Sequence, residues 1–130
     1  MVANTSPRFP LSPNIGSGIV SAANANYDGT GTIVTIFSAG ASGSKVNEIV
    51  IRPIGSNAAS VLRIFLFTGS VYRLLKEFDL PATNAIQTAQ LLGQNWYPDN
   101  LILPPSHTLV ASVGTVIAAG VAVTVLGADY

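Results

Sequence analysis

Residues 108–128 carry no charged side chain and constrain the fold more than any other part of the chain. A stretch of this length can cross a bilayer as a helix, or it can form two β-strands. Val, Ile and Thr dominate it, and β-branched side chains favour strands. Val121, Val123 and Val125 alternate with smaller residues, and the basic flank typical of a membrane-spanning helix is missing. The stretch is therefore predicted to be a β-hairpin that turns at its glycines.

The composition indicates one domain with few charges. The chain has 130 residues, which is the size of an ordinary single domain. Charged residues make up 9% of it, and six basic residues balance six acidic ones. The chain therefore lacks the basic surface expected of a protein that binds nucleic acid or an anionic membrane. A neutral and charge-poor surface is poorly protected against self-association, so an oligomer is expected.

Residues 1–18 are predicted to form an extended arm, because three prolines and two glycines disfavour a helix there. Two interpretations are open: a disordered terminus, or an arm that lies along a neighbouring subunit. The apolar side chains of Phe9 and Leu11 favour the second interpretation, since a disordered tail in solvent would leave them unburied. Arg8, Phe9 and Leu11 are therefore candidate partner-binding residues.

Residues 19–130 are predicted to form a single all-β domain, a β-sandwich of the jelly-roll type with about eight strands. Apolar segments alternate with turns rich in Gly, Ser, Asn and Pro. Strands are expected at residues 19–25, 32–37, 45–54, 60–68 and 71–80, with a short extended segment at 101–105 before the C-terminal hairpin. Residues 85–93 alternate as a strand does but have the composition of a helix, and the strand is favoured.

The sequence offers few groups for catalysis. His107 is the single His and follows Ser106, but neighbouring strand residues place their side chains on opposite faces. Glu77 and Asp79 share a face of a predicted strand, and paired carboxylates can hydrolyse a glycoside. Arg73 is predicted on that same face, which favours a solvated charged strand. The expectation is a non-enzymatic protein with no catalytic, cofactor-binding or metal site and no small-molecule substrate.

Trp96 and Tyr97 are the best candidates for surface recognition within the domain. Exposed aromatic rings on a loop can stack on sugars or bind at a protein interface. The pair could instead close one end of the core, which is the commoner role because large aromatic side chains are mostly buried.

Three segments together resemble a known family. Residues 22–37 read AANANYDGTGTIVTIF, residues 40–69 read GASGSKVNEIVIRPIGSNAASVLRIFLFTG, and residues 103–130 read LPPSHTLVASVGTVIAAGVAVTVLGADY. Their content and order are similar to a family of small structural proteins of tailed bacteriophages, found near head genes. The chain departs from the family pattern at Pro105, Ser106 and His107, in a predicted loop.

The resemblance implies a virion protein, made in the host cytoplasm and located on the outer surface of the phage head. It implies a capsid cement or decoration protein, a jelly-roll homotrimer that clamps adjacent subunits of the major capsid protein. It also implies that Asp129 and Tyr130 form a fixed terminus. The alternative function is a carbohydrate- or receptor-binding module of a tail or fibre, using Trp96 and Tyr97. Neither function involves a cofactor, nucleic acid or a membrane.

Overall fold

The computed structural model describes residues 8–130, which form nine β-strands in two antiparallel sheets. The strands are β1 Ser12–Val20, β2 Val34–Ser38, β3 Ser44–Pro53, β4 Ser60–Phe67, β5 Tyr72–Leu80, β6 Gln94–Trp96, β7 Leu101–Leu103, β8 Thr108–Val113 and β9 Val121–Asp129. Sheet 1 has the order β1-β9-β3-β6, with β7 also paired to β3, and sheet 2 has the order β2-β8-β4-β5. The prediction of an all-β sandwich is confirmed. Nowhere in the described residues is there a helix with the length and apolarity to cross a membrane.

The hydrophobic core fills the space between the two sheets. Strand β9 lies in the middle of sheet 1, and the side chains of Val121, Val123 and Val125 are fully buried, as their alternation predicted. Strand β8 lies in the middle of sheet 2 and buries Leu109 and Val113 against them. Residues 108–128 thus supply the central strand on each side of the core.

The predicted C-terminal hairpin is wrong. Strand β8 pairs with β2 and β4, whereas β9 pairs with β1 and β3, so the two strands lie in different sheets. The connection between them, residues 114–120, crosses from sheet 2 to sheet 1. The Asn57 side chain holds this connection, because it accepts hydrogen bonds from the backbone N–H groups of Ala119 and Gly120 and donates one to the Gly120 carbonyl.

The first strand begins at Ser12, earlier than the predicted start at residue 19. It pairs with β9 along its whole length, from Ser12 opposite Asp129 to Val20 opposite Val121. Residues 12–18 of the predicted arm therefore belong to sheet 1, while residues 1–7 of that arm lie outside the described part of the chain. A Cβ on Gly16 would lie 2.0 Å from the Ile36 carbonyl oxygen, so this glycine lets the edge strands β1 and β2 approach closely.

An irregularity in strand pairing explains why simple alternation assigned a side chain of β5 to the wrong face of the strand. A bulge at Leu75 separates the two halves of β5, since Ile64 pairs with Lys76 but Phe65 pairs with Leu74. Arg73 therefore does not share a face with Glu77 and Asp79, contrary to the prediction.

Residues 85–93 form neither a strand nor a helix. They are an irregular loop with one isolated bridge between Ile86 and Ala89, so the favoured prediction of a strand is wrong. The next strand begins just after this loop, where Gln94–Trp96 pairs with β3. Trp96 was predicted in a loop and instead ends β6.

The outward sides of the two sheets differ. On sheet 2, Phe65 and Val110 have outward side chains that are 0% and 2% exposed. Residues 21–33 lie on this side, where Asn24 and Tyr27 contact Arg63 and Gly29 lies against Tyr72; we call it the covered face. On sheet 1, the outward side chains remain in contact with solvent, and Ile15 is 65% exposed; we call this the open face. On strands β1, β9 and β3, the open face consists of Pro13, Ile15, Ser17, Ile19, Ala122, Thr124, Leu126, Ala128, Lys45, Glu48, Val50 and Arg52.

Candidate protein-binding surface

The start of the described chain lies against its C-terminus. The guanidinium of Arg8 lies 5.8 Å from the centroid of the Tyr130 ring, within the range of a cation–π contact. Arg8 and Tyr130 line an open groove together with Ile102 and Pro104. The sequence predicted Arg8 as a partner-binding residue but gave no reason to place it beside the last residue.

Phe9 and Leu11 follow Arg8 in the chain and are 71% and 83% exposed, respectively. Ile102 is also mostly exposed. We call Arg8, Phe9, Leu11, Ile102 and Tyr130 the terminal patch. Its apolar side chains have unburied area that a partner protein can cover, and its single cation can pair with a carboxylate or lie over an aromatic ring.

A polar cluster fixes the backbone beneath the terminal patch. The Asp129 carboxylate accepts hydrogen bonds from the Asn14 amide, at 2.9 Å, and from the Ser44 hydroxyl. These bonds hold the pKa of Asp129 below its ordinary value, and the bond from Ser44 has the larger effect. The Tyr130 N–H donates to the Gly43 carbonyl at 3.1 Å, and the Leu11 N–H donates to the Asp129 carbonyl at 2.7 Å. The C-terminus is thus fixed, as the family resemblance implied.

Trp96 and Tyr97 have different environments. Trp96 is half-buried and packs edge-on against Phe78, with ring centroids 5.8 Å apart. Tyr97 is 65% exposed. Trp96 therefore contributes to the core, and only the Tyr97 ring is free to stack on a ligand.

The terminal patch and the aromatic pair lie at different positions along β3. Ile102 is opposite Lys45 near the start of that strand, and Trp96 is opposite Ile49 farther along it. The structure therefore brings Arg8, Phe9 and Leu11 together but does not join Trp96 and Tyr97 to them. It adds Ile102 and Tyr130, which the sequence did not single out.

The charged side chains considered for catalysis have structural contacts. Glu77 accepts a hydrogen bond of 3.0 Å from the Arg63 guanidinium, so it does not form a free pair with Asp79. His107 lies in the loop before β8, with Nδ1 at 3.1 Å from the Pro105 carbonyl oxygen. Within residues 8–130, no three His, Asp or Glu side chains are placed to hold a metal ion.

The open face is the surface that sequence reasoning missed. Residues 12–18 were assigned to the arm, so the outward row of β1 was not recognised as part of a sheet. The sequence did contain a signal for this strand. Ile15, Ser17 and Ile19 alternate with Gly16 and Gly18, which is the two-residue period of a strand whose glycine side lies close to another backbone.

Comparison with protein-family models, with curated proteins and with solved structures gave no match for this chain. The candidate surface is therefore defined by the chain's own geometry.

Proposed function

We propose that this chain is a structural virion protein, a cement or decoration protein that binds the outer surface of a phage head. In this role it clamps adjacent subunits of the major capsid protein and performs no chemistry. The observation that carries the proposal is the terminal patch, where a backbone hydrogen bond ties Leu11 to Asp129 and the side chains of Phe9 and Leu11 remain mostly exposed. The sequence resemblance over residues 22–130 supports the same function.

The terminal patch suits binding to a protein shell for a physical reason. Fully burying a Phe or Leu side chain contributes about 1.5–3 kcal/mol, so two such side chains give a modest affinity at a single site. Many copies on a repetitive lattice convert a modest affinity into stable attachment. The proposal therefore includes a homotrimer, in which three terminal patches bind neighbouring capsid subunits at once.

The strand order supports a jelly-roll as the finer description of the fold. Sheet 1 alternates strands from the two ends of the chain in the order β1-β9-β3-β6, and sheet 2 follows with β2-β8-β4-β5. Because of this interleaving, β2 and β3 lie in opposite sheets, which is the arrangement that two Greek keys wound together require.

The second candidate function is a carbohydrate- or receptor-binding module of a tail or fibre. The exposed ring of Tyr97 favours it, because one free aromatic face can stack on a sugar. A glycan array with the wild type and Tyr97→Ala tests it. Trp96→Ala is a poorer probe, because removing Trp96 also removes its contact with Phe78.

A head-binding assay tests the leading proposal. Isolated heads of the phage that encodes the chain, stripped of this protein, are incubated with the wild type or with Phe9→Ser/Leu11→Ser. The double variant is expected to bind about 100-fold more weakly, since roughly 3 kcal/mol of apolar burial is lost. Leu92→Ser is the matched control, because Leu92 is 74% exposed but lies outside the terminal patch. Equal binding of the double variant, or labelling of the tail alone in particle images, would contradict the proposal.

A further inference from the structure

The open face is an apolar sheet surface that the described chain does not bury. Ile15 is 65% exposed and Ile19 is 59% exposed, while Leu126 and Val50 are half-buried between them. None of the outward side chains of β1 and β9 is charged. The three strands β1, β9 and β3 lie side by side, so these side chains form one continuous surface.

The exposed sheet edges are less suited to pairing with a partner. Strand β5 is an edge of sheet 2 and carries both a bulge and the charges of Arg73 and Lys76, which are common protections against edge pairing. Strands β1 and β2 are edges that approach each other closely at Gly16. The open face is therefore the favoured surface for association.

The register arranges the centre of the open face in three rows across the strands, and a fourth row of Pro13, Ala128 and Lys45 lies beyond them. One row is Ile15, Leu126 and Glu48; the middle row is Ser17, Thr124 and Val50; the third row is Ile19, Ala122 and Arg52. The two outer rows are complementary in charge, because one ends in a carboxylate and the other in a guanidinium. They are also complementary in size, because Leu126 stands in one row where Ala122 stands in the other.

This pattern matches itself under a two-fold rotation. With the axis along the middle row, Glu48 of one copy lies over Arg52 of the other, and Ile15 lies over Ile19. Leu126 then lies over Ala122, which gives the alternation of large and small side chains that lets two sheets interdigitate about 10 Å apart. Within residues 8–130 neither Glu48 nor Arg52 forms an ion pair, although Glu48 accepts a hydrogen bond from the Asn95 amide and Arg52 donates to two backbone carbonyls. The net charge of the chain is zero, so overall repulsion does not oppose the contact.

We infer that the open face binds the open face of a second copy of this chain, forming a two-fold dimer through stacked sheets. The contact is centred on the middle row, whereas the terminal patch adjoins the other end of the same outward surface, where Ile102 pairs with Lys45. With the axis on the middle row, about seven residues of each of the three strands overlap, which is roughly 23 Å by 14 Å, or about 300 Å² per copy. An interface of that size is smaller than most specific contacts, so a weak dimer that forms as the concentration rises is expected.

Another occupant to consider is the segment of residues 1–7 of the same chain. Its larger apolar side chains are Met1 and Val2, at the end farthest from Arg8, so it offers little apolar surface. A second copy offers a complete matching face.

Charge exchange gives a decisive test. The masses of the purified full-length wild type, Glu48→Arg, Arg52→Glu and the double exchange are measured by sedimentation over about 1–500 µM. The wild type is expected to pair, and each single exchange is expected to weaken pairing at least about 10-fold, because it places like charges opposite each other. The double exchange is expected to restore pairing to within about 3-fold of the wild type. Arg73→Glu is the control, because Arg73 is exposed on sheet 2.

Several outcomes would overturn the inference. These are a wild type that does not pair at 500 µM, single exchanges without effect, or a double exchange that fails to restore pairing while its circular dichroism stays native. Pairing that occurs only after deletion of residues 1–7 would show that this segment occupies the face instead. The assay contains no phage heads, so it is independent of the proposed function. Phe9→Ser/Leu11→Ser is expected to pair normally even though it loses head binding.

Discussion

The two outward faces of the sandwich are made from the same kind of antiparallel strands, yet only one of them is buried by its own chain. On the covered face, Phe65, Val110 and even Arg63 are less than a tenth exposed. On the open face, Ile15 and Ile19 are each more than half exposed. The difference is set by a connection: residues 21–33 cross sheet 2 on their way from β1 to β2, and sheet 1 has no equivalent in the described chain.

A buried cation holds this covering segment in place. The Arg63 guanidinium donates to Glu77 at 3.0 Å and to the Asn24 carbonyl at 3.1 Å, and it lies 4.0 Å from the centroid of the Tyr27 ring. The Asn24 N–H donates to the Val113 carbonyl at 2.8 Å, which ties the segment to β8. An outward-facing arginine thus serves as an internal contact, because the chain folds back over it.

Gly29 shows how closely the covering segment fits. It has φ of +85°, a conformation that other residues rarely adopt, and a Cβ there would lie 2.3 Å from Cβ of Tyr72. The bend at Asp28 and Gly29 therefore does more than reverse the chain. It lets the backbone lie directly on the outward side of β5.

The two faces should differ most in how far an introduced carboxylate lowers the free energy of unfolding. Val110→Asp places a charge beneath the covering segment and is expected to lower the free energy of unfolding by about 3–5 kcal/mol. Ile15→Asp, on the open face, is expected to lower it by less than about 1 kcal/mol, because its charge stays in water. Urea denaturation at low micromolar concentration measures both. Similar losses for the two variants would show that the faces do not differ in burial.

Removing one arginine from each face should have the next largest effect. Arg63→Ala is expected to cost about 2–4 kcal/mol, because it removes the ion pair, the bond to Asn24 and the contact with Tyr27 together. Arg52→Ala is the matched change on the open face, where Arg52 is exposed and bonds to backbone carbonyls, and it is expected to cost below about 1 kcal/mol. Hydrogen exchange should locate the difference.

Amides of residues 21–33 are expected to lose protection in Arg63→Ala and to keep it in Arg52→Ala. If residues 21–33 exchanged at the wild-type rate in Arg63→Ala, another contact would be holding the covering segment.

The elements that alternation predicts well are those buried on one side only. Ile49 and Ile51 of β3 and the buried row of β9 follow the pattern closely, whereas β4 is buried on both sides and a bulge interrupts the alternation of β5. Pairing partners are harder, because alternation shows which side chains are inward but not which strand lies beside them. Residues 108–113 and 121–129 are both apolar and adjacent in sequence, so a hairpin was expected, whereas the structure places them in opposite sheets.

The candidate site was predictable only where a residue conflicted with its surroundings. Phe9 and Leu11 are apolar side chains in a segment without a core, and this conflict identified them from sequence. Ile102 and Tyr130 join them only because β7 and β9 both lie against the start of β3, which is a property of the fold. The covering role of residues 21–33 likewise depends on Arg63, whose burial no local pattern predicts.

Acid should weaken the end of sheet 1 and the covering segment unequally, and this effect should be smaller than the two effects above. Asp129 and Asp28 both have a pKa below the ordinary value of 3.8. The partners of Asp129 are distant in sequence, Ser44 and Asn14, and they tie β1 and β3 to β9. Asp28 accepts hydrogen bonds from Thr30 within a single turn of the covering segment.

A carboxylate whose pKa is lowered in the folded state stabilises the fold above its unfolded pKa, and this contribution is lost as the pH falls towards the folded pKa. Asp129→Asn is therefore expected to be less stable than the wild type at about pH 7, with a difference that narrows as the pH falls through about 4 towards 2. Asp28→Asn is expected to change stability less at either pH, because its bonds close only a local turn. Urea denaturation at about pH 7 and pH 3 measures both. If Asp28→Asn lowered the free energy of unfolding at neutral pH more than Asp129→Asn does, the prediction would be wrong. The covering segment would then depend on its carboxylate more than the β1–β9 end of sheet 1 depends on Asp129.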